Sequence, residues 1–286
     1  MEKGQQHMIP RRYLAAWAYP NPPAGKKGTI WVIQKRDIRN PELKSPKKYF
    51  REKDRYTLSW LGGRDLAVEN SLGMVEAWFG EAFANVQAHN PLTGHDRVKI
   101  AFFTAAMMLR TNHIPSILAD VLGTNHWQSA SLEKEEGLDS SSSDALKAKL
   151  PDVTGDTVGN GLIMTAGMLV RMKLSIFVTD DEAGFVTGDE PCYVCVPGAW
   201  NSYPGHPDVE LTIPLSPRHM AFYSWKLAPM LYAPWDRETV DRVNSRTIAG
   251  CKTEFVSWKG TTRPEWFIAD FPSARPDAST PMTASR

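Results

Sequence analysis

Two charged side chains stand on stripes that are otherwise apolar. From Ala67 onward, Glu69, Leu72, Glu76, Phe79 and Phe83 follow at alternating steps of three and four, which places them on one face if the segment is helical. A carboxylate on such a face must reach an opening, meet a cation or take up a proton, because burying it unpaired costs several kcal/mol. Glu69 turns outward if Val75 and Trp78 define the buried side, which leaves Glu76 as the candidate. Downstream, Phe103, Ala106, Met107, Arg110 and Ile114 set a guanidinium at the end of a second stripe. Arg110 can therefore meet Glu76 across a helix pair. Such a pair would fix the register of the two helices, and the planar fork of Arg110 could also hold a phosphate or carboxylate.

Asp189 and His7 complete the set. Thr187-Gly-Asp-Glu-Pro191 follows directly on an apolar run, so a glycine turn would project Asp189 from a strand end. Gly-Asp is also ordinary turn chemistry, which gives Asp189 a purely structural alternative. His7 precedes Pro10 and an aromatic segment, where it can serve as a tethered base or ligand, or as a capping residue. His7, Glu76 and Asp189 are the candidate catalytic residues and the candidate ligands of a divalent metal, and Arg110 is the candidate substrate holder. One shared concave site would account for all four.

Other chemistry-bearing residues are less telling. Cys192 and Cys195 form a C-x-x-C, but it reads as part of a strand after a proline and has no matching second pair, so neither redox nor zinc use is indicated. Three cysteines are too few for a disulfide framework. Arg110 and His113 carry types used by some ribonuclease toxins, yet the interval between them is too short for that pattern. The basic residues from Lys26 to Arg55 read as a solvated strand and loop rather than a nucleic-acid surface.

The elements that must position the four candidates can be read from periodicity. Pro10 opens a short helix with Tyr13, Leu14 and Trp17 on one side. Residues 29–33 are β-branched and aromatic and predict a strand, followed by a basic irregular stretch through Thr57. Helices are expected over Ala67 to Ala88 and over about His95 to Asn112, and the short breaker-rich connection between them predicts an αα hairpin. A further helix is expected over Leu162 to Met172. Strands are expected at Leu174 to Thr179 and Gly184 to Thr187, joined as a hairpin, then at Tyr193 to Val196, Val209 to Ile213 and Met220 to Tyr223. A capped helix over Asp236 to Gly250 and a last strand at Phe255 to Trp258 follow.

At 286 residues, with 42% hydrophobic and 23% charged residues, the chain can bury a substantial core. The formal charge of +1 does not mark a general nucleic-acid-binding surface. No apolar run approaches a membrane span, and the absence of a secretory pattern at the start makes the cytoplasm the expected compartment. The fold class expected is α+β, a largely antiparallel sheet packed with helices including a central αα hairpin. Residues 1–271 are expected to form one domain with an exposed, Ser-rich insertion near 128–160, and 272–286 a disordered tail.

Several of these segments carry a resemblance. His7-Met-Ile-Pro-Arg-Arg-Tyr13-Leu14, the Ile30-Trp31-Val32 strand, Glu69-Asn70 with Val75-Glu76, Leu109-Arg110-Thr111, Phe185 to Pro191 and Pro214-Leu215-Ser216-Pro217 occur in an order and spacing similar to the bacterial family catalogued as domain of unknown function 4238, over roughly residues 5–258. The family brings no assigned activity. Its members usually show Ser-Asp-Asn-Pro where this chain has Gly188-Asp189-Glu190-Pro191, so a hydroxyl at that position has no role here.

Two functions fit this sequence. The favoured one is a hydrolase-like enzyme acting on a phosphorylated substrate, a nucleotide or nucleic acid, with a divalent metal as the cofactor that His7, Glu76 and Asp189 would hold. The alternative is a non-catalytic binding or regulatory module in which the same residues form a buried structural network, with aromatic residues as interface anchors.

Overall fold

The computed structural model describes residues 5–20, 28–47, 49–53, 66–111, 158–159, 161–196 and 206–268. The insertion expected near 128–160, apart from 158 and 159, the tail over 272–286 and His113 lie outside these residues. The fold is α+β, with helices packed on mostly antiparallel sheets. In chain order the elements begin with β1 (Gln5–His7), α1 (Arg11–Leu14) running into a 3-10 turn (Ala15–Trp17), β2 (Ile30–Gln34), β3 (Asp37–Lys44) and β4 (Arg51–Lys53). The helices α2 (Ala67–Gln87) and α3 (Gly94–Arg110) follow, then α4 over 161–171. Next come β5 (Lys173–Val178), β6 (Thr187–Gly188), β7 (Tyr193–Cys195), β8 (Glu210–Ser216), β9 (His219–Ser224) and β10 (Leu231–Pro234). The last elements are α5 (Arg237–Gly250), β11 (Glu254–Ser257) and a 3-10 turn (Pro264–Phe267). Among the described residues no helix is long and apolar enough to cross a membrane.

Helices α2 and α3 form the expected hairpin. The buried residues of α2 are Val68, Leu72, Val75, Phe79, Ala82 and Val86, spaced as one helical face, with Glu69 and Glu76 on its border. Asn85, late in α2, donates to Asp96, early in α3, while Arg110 at the far end of α3 meets Glu76, so the two helices run antiparallel. Phe79 and Phe103 stack between them at 3.7 Å. The start of α3 is set by a capping box in which Thr93 accepts from Asp96 N and Asp96 accepts from Thr93 N, satisfying two donors that the first turn would otherwise leave bare.

The strands lie in a five-stranded sheet of order β10-β5-β9-β8-β7, a four-stranded sheet of order β3-β2-β11-β6 and the pair β1-β4. All described pairings are antiparallel except β10 with β5. Strand β8 is buried along its whole length, and Pro214 is tolerated within it where the register with β9 shifts. On α5, Asp236 caps the first turn and Val240, Val243, Thr247 and Ile248 are buried, as their spacing predicts.

Three sequence expectations need correction. The stretch after β2 is not irregular but carries β3 and β4, and β3 alternates only weakly because it is a half-solvated edge strand. Residues 174–187 do not form a hairpin, since β5 and β6 belong to different sheets. The turn between them is held instead by Asp181, which accepts from Ala183 N and Gly184 N and is gripped by Arg263. Strand β10 was not expected at all; four residues ending in proline carry too little pattern to predict a strand.

The N-terminal segment is laced to both large sheets. Tyr13 Oη donates to Pro214 O at 2.6 Å, which leaves it an acceptor for Thr187 Oγ1 at 2.7 Å. Trp17 Nε1 donates to Phe185 O at 2.9 Å. Burial raises the Tyr13 hydroxyl well above its ordinary pKa, so it stays a neutral hydrogen-bonding group. These contacts bring the end of β1, and with it His7, toward the helix hairpin.

Candidate functional site

Arg110 is almost fully buried, and its guanidinium joins α2 to the backbone of β1. Its Nη1 donates to Glu76 Oε1 at 2.7 Å and its Nη2 to the carbonyl oxygen of His7 at 2.5 Å. The two stripes read from the sequence therefore meet, and they meet on the backbone of β1. The side chain of Glu76 keeps 28% of its exposure where that of Arg110 keeps 4%, so the carboxylate sits at a mouth and the guanidinium behind it.

The His7 ring lies in the same place. Burial lowers its pKa, opposed by the nearby Glu76 charge and by hydrogen bonds with backbone groups of Lys47 and Pro46, and reinforced by Arg110. The imidazole is thus neutral near pH 7. Its Nε2 atom is buried and has no hydrogen-bond partner among the described residues. A buried nitrogen without a partner is uncommon, and functional histidines are among its explanations.

In front of Glu76 lies an open depression of about 520 Å³ lined by Arg11, Arg12 and Ala15 from the first helical turns and by Gly73, Glu76 and Ala77 from α2. Both arginines are exposed. Arg12 lies along α2 over Gly80, where a Cβ would stand 3.2 Å from its Nη1. The small residues Gly73, Ala77 and Gly80 fall on the same side of α2 as Glu76, so the floor is smooth and the charge comes from the rim. Arg11 and Arg12 are site residues that periodicity does not single out. The available signal was two adjacent cations in the first turn after Pro10, within reach of any carboxylate stripe on α2.

Asp189 is engaged by a different set of groups. Its carboxylate accepts from Lys252 N at 2.9 Å, from Thr253 N at 2.7 Å, from Thr253 Oγ1 at 2.8 Å and from Glu254 N at 3.2 Å. These bonds hold the turn from α5 into β11. The turn chemistry that Gly-Asp offers is what the fold uses, and none of Asp189's contacts is with His7, Glu76 or Arg110. Gly188 is fitted to the same corner: a Cβ there would stand 2.5 Å from Cys251 Sγ and 2.7 Å from Glu254 O. The corner has no room for the serine usual in that motif.

Of the candidate metal ligands, Glu76 and the backbone of His7 share the Arg110 guanidinium, while the Asp189 carboxylate is bonded to the turn into β11. Among the described residues no group of three or more His, Cys, Asp or Glu side chains is placed to hold a metal ion. Cys192, Cys195 and Cys251 are free thiols, and burial raises those of Cys192 and Cys251 well above the ordinary range, which makes them poor nucleophiles.

These features define an α+β protein whose N-terminal segment is locked onto a helix hairpin by a buried arginine, with an arginine-rimmed depression at that junction. Over residues 5–259 the sequence matches the family described as "Protein of unknown function (DUF4238)". The chain belongs to that family. Among curated proteins and among solved structures nothing matches.

Proposed function

We propose that the depression between α1 and α2 takes the phosphate of a phosphorylated substrate, a nucleotide or nucleic acid, and that the protein acts on it as a hydrolase. The observation that carries this reading is the joint placement of Arg11, Arg12 and Glu76 on one open depression backed by Arg110. Two exposed guanidinium groups suit a phosphate, since they bind its oxygens through charge-assisted hydrogen bonds. Glu76 is the carboxylate in the wall and would accept a proton from an attacking water. Arg110 is already engaged by Glu76 and His7 O, so it acts as a positioning residue rather than as the anion holder expected from the sequence. His7 contributes its carbonyl oxygen to Arg110 and a neutral ring beside the pair. Asp189 takes no part.

The alternative of a non-catalytic binding or regulatory module draws on the same burial of Arg110, since a buried arginine paired with Glu76 and bonded to the backbone of His7 is also what a structural network would show. Glu76→Gln separates the two. The amide keeps an oxygen for Arg110 but cannot act as a base at neutral pH. We expect phosphate release from a nucleoside triphosphate panel to fall by about 100-fold or more in Glu76→Gln, with binding held or tightened by loss of a negative charge. Equal turnover in both proteins would overturn the catalytic role of Glu76. Binding without turnover in the wild type would favour the module.

A further inference from the structure

At the end of α2, away from the depression, two histidines from distant segments point the same atom at each other. His89 Nε2 and His219 Nε2 are 3.1 Å apart, with the ring planes 83° to one another. Two imidazole nitrogens on one tetrahedral zinc, each about 2.1 Å from it, lie about 3.4 Å apart. The observed spacing is within a few tenths of an ångström of that. The other nitrogen of His219, Nδ1, is 2.8 Å from Ser216 Oγ, an outer hydrogen bond of the kind that orients metal-ligating imidazoles.

The backbone around the pair is unusual. His89 has φ 53° and Tyr232 has φ 61°, two of the three non-glycine residues with positive φ among those described. Both conformations cost free energy, more so for an aromatic residue, and they persist only where the surroundings impose them. Here they bring the two rings into a stack at 4.6 Å, and Tyr232 Oη donates to Asn90 O at 2.6 Å. The His89 ring is thereby fixed at its exposed position. It also stands at the C-terminus of a 21-residue helix, where the backbone dipole favours a cation. The neighbouring cation, Arg218, donates to Thr179 O and Asp181 O, and its charge is felt at His219.

We propose that His89 and His219 form a two-imidazole site for a divalent transition metal such as Zn²⁺ or Ni²⁺, which ties the end of α2 to β9. No third His, Cys, Asp or Glu joins them among the described residues, so water completes the coordination. The protons balance. Without metal one Nε2 proton is shared between the rings, and with metal each ring keeps its single proton on Nδ1. His219 then donates to Ser216 Oγ, which already accepts from Arg218 N and has a second lone pair.

The test uses the full chain and the metal alone. Titration calorimetry with ZnCl₂ and with NiCl₂ should show one saturable site in the wild type, weakened at least about tenfold in His89→Gln and in His219→Gln. At a metal concentration about 100 times Kd, the wild-type melting temperature should rise by about 5 °C and that of His89→Gln should not. His89 is exposed, so His89→Gln decides the matter even if His219→Gln does not fold. Absence of saturable binding to the wild type up to about 1 mM metal, or unchanged affinity in His89→Gln, would overturn the site. Neither result bears on the Arg11 and Arg12 depression.

Discussion

Arg246→Met, with Glu210 left in place, is expected to destabilise the fold by about 3 to 5 kcal/mol. Arg246 on α5 and Glu210 at the start of β8 form the most deeply buried ion pair described, at 3.0 Å with side-chain exposures of 1% and 0%. Methionine fills much of the same volume but leaves the carboxylate without this cation in a place that water does not reach. The loss therefore measures removal of this cation from a buried carboxylate rather than the net worth of the pair. Glu210→Gln combined with Arg246→Met removes that charge and should recover a large part of the stability. Urea denaturation of the three proteins reads the comparison directly. A single variant as stable as the double one would contradict the stranding argument.

Asp189→Ala is the second large effect, expected to cost about 3 kcal/mol while leaving ligand binding at the depression unchanged. The carboxylate serves three backbone N–H groups and one hydroxyl at the turn into β11, and hydrogen bonds to a charged acceptor are worth about 1.5 to 3 kcal/mol each without being additive. The turn is part-buried, so water replaces only some of the lost bonds. Asp189→Asn keeps one acceptor oxygen and should fall between the two. Equilibrium denaturation together with a binding titration separates the readings. Full stability with lost activity would return Asp189 to the chemistry and remove it from the turn.

The helix hairpin was legible because periodicity over two long segments is a redundant signal. Glu76 and Arg110 could be paired in advance because each breaks an apolar stripe and a short connection makes the helices antiparallel. The role of Asp189 was ambiguous for a physical reason: a carboxylate after a Gly turn at a strand end can face a cleft or fold back onto a neighbouring turn, and the choice depends on 252–254, more than 60 positions away. Arg11 and Arg12 were invisible as site residues because an exposed arginine on a short helix carries no pattern. Their role follows only from the fold, which lays Arg12 over Gly80 of α2. The pairing of His89 with His219 was likewise hidden, since it joins a helix terminus to a strand across 130 positions.

Arg11 and Arg12 would make the depression in front of Glu76 an anion site. The most direct measurement of this is the binding of a fluorescent nucleoside triphosphate to the wild type and to Arg11→Glu/Arg12→Glu across a range of salt concentrations. Both side chains are exposed, so the double variant should fold like the wild type. The affinity is expected to be at least about tenfold lower in the variant, with a flatter dependence on salt because fewer charge contacts are made. The same affinity and the same salt dependence in both proteins would contradict an anion site there.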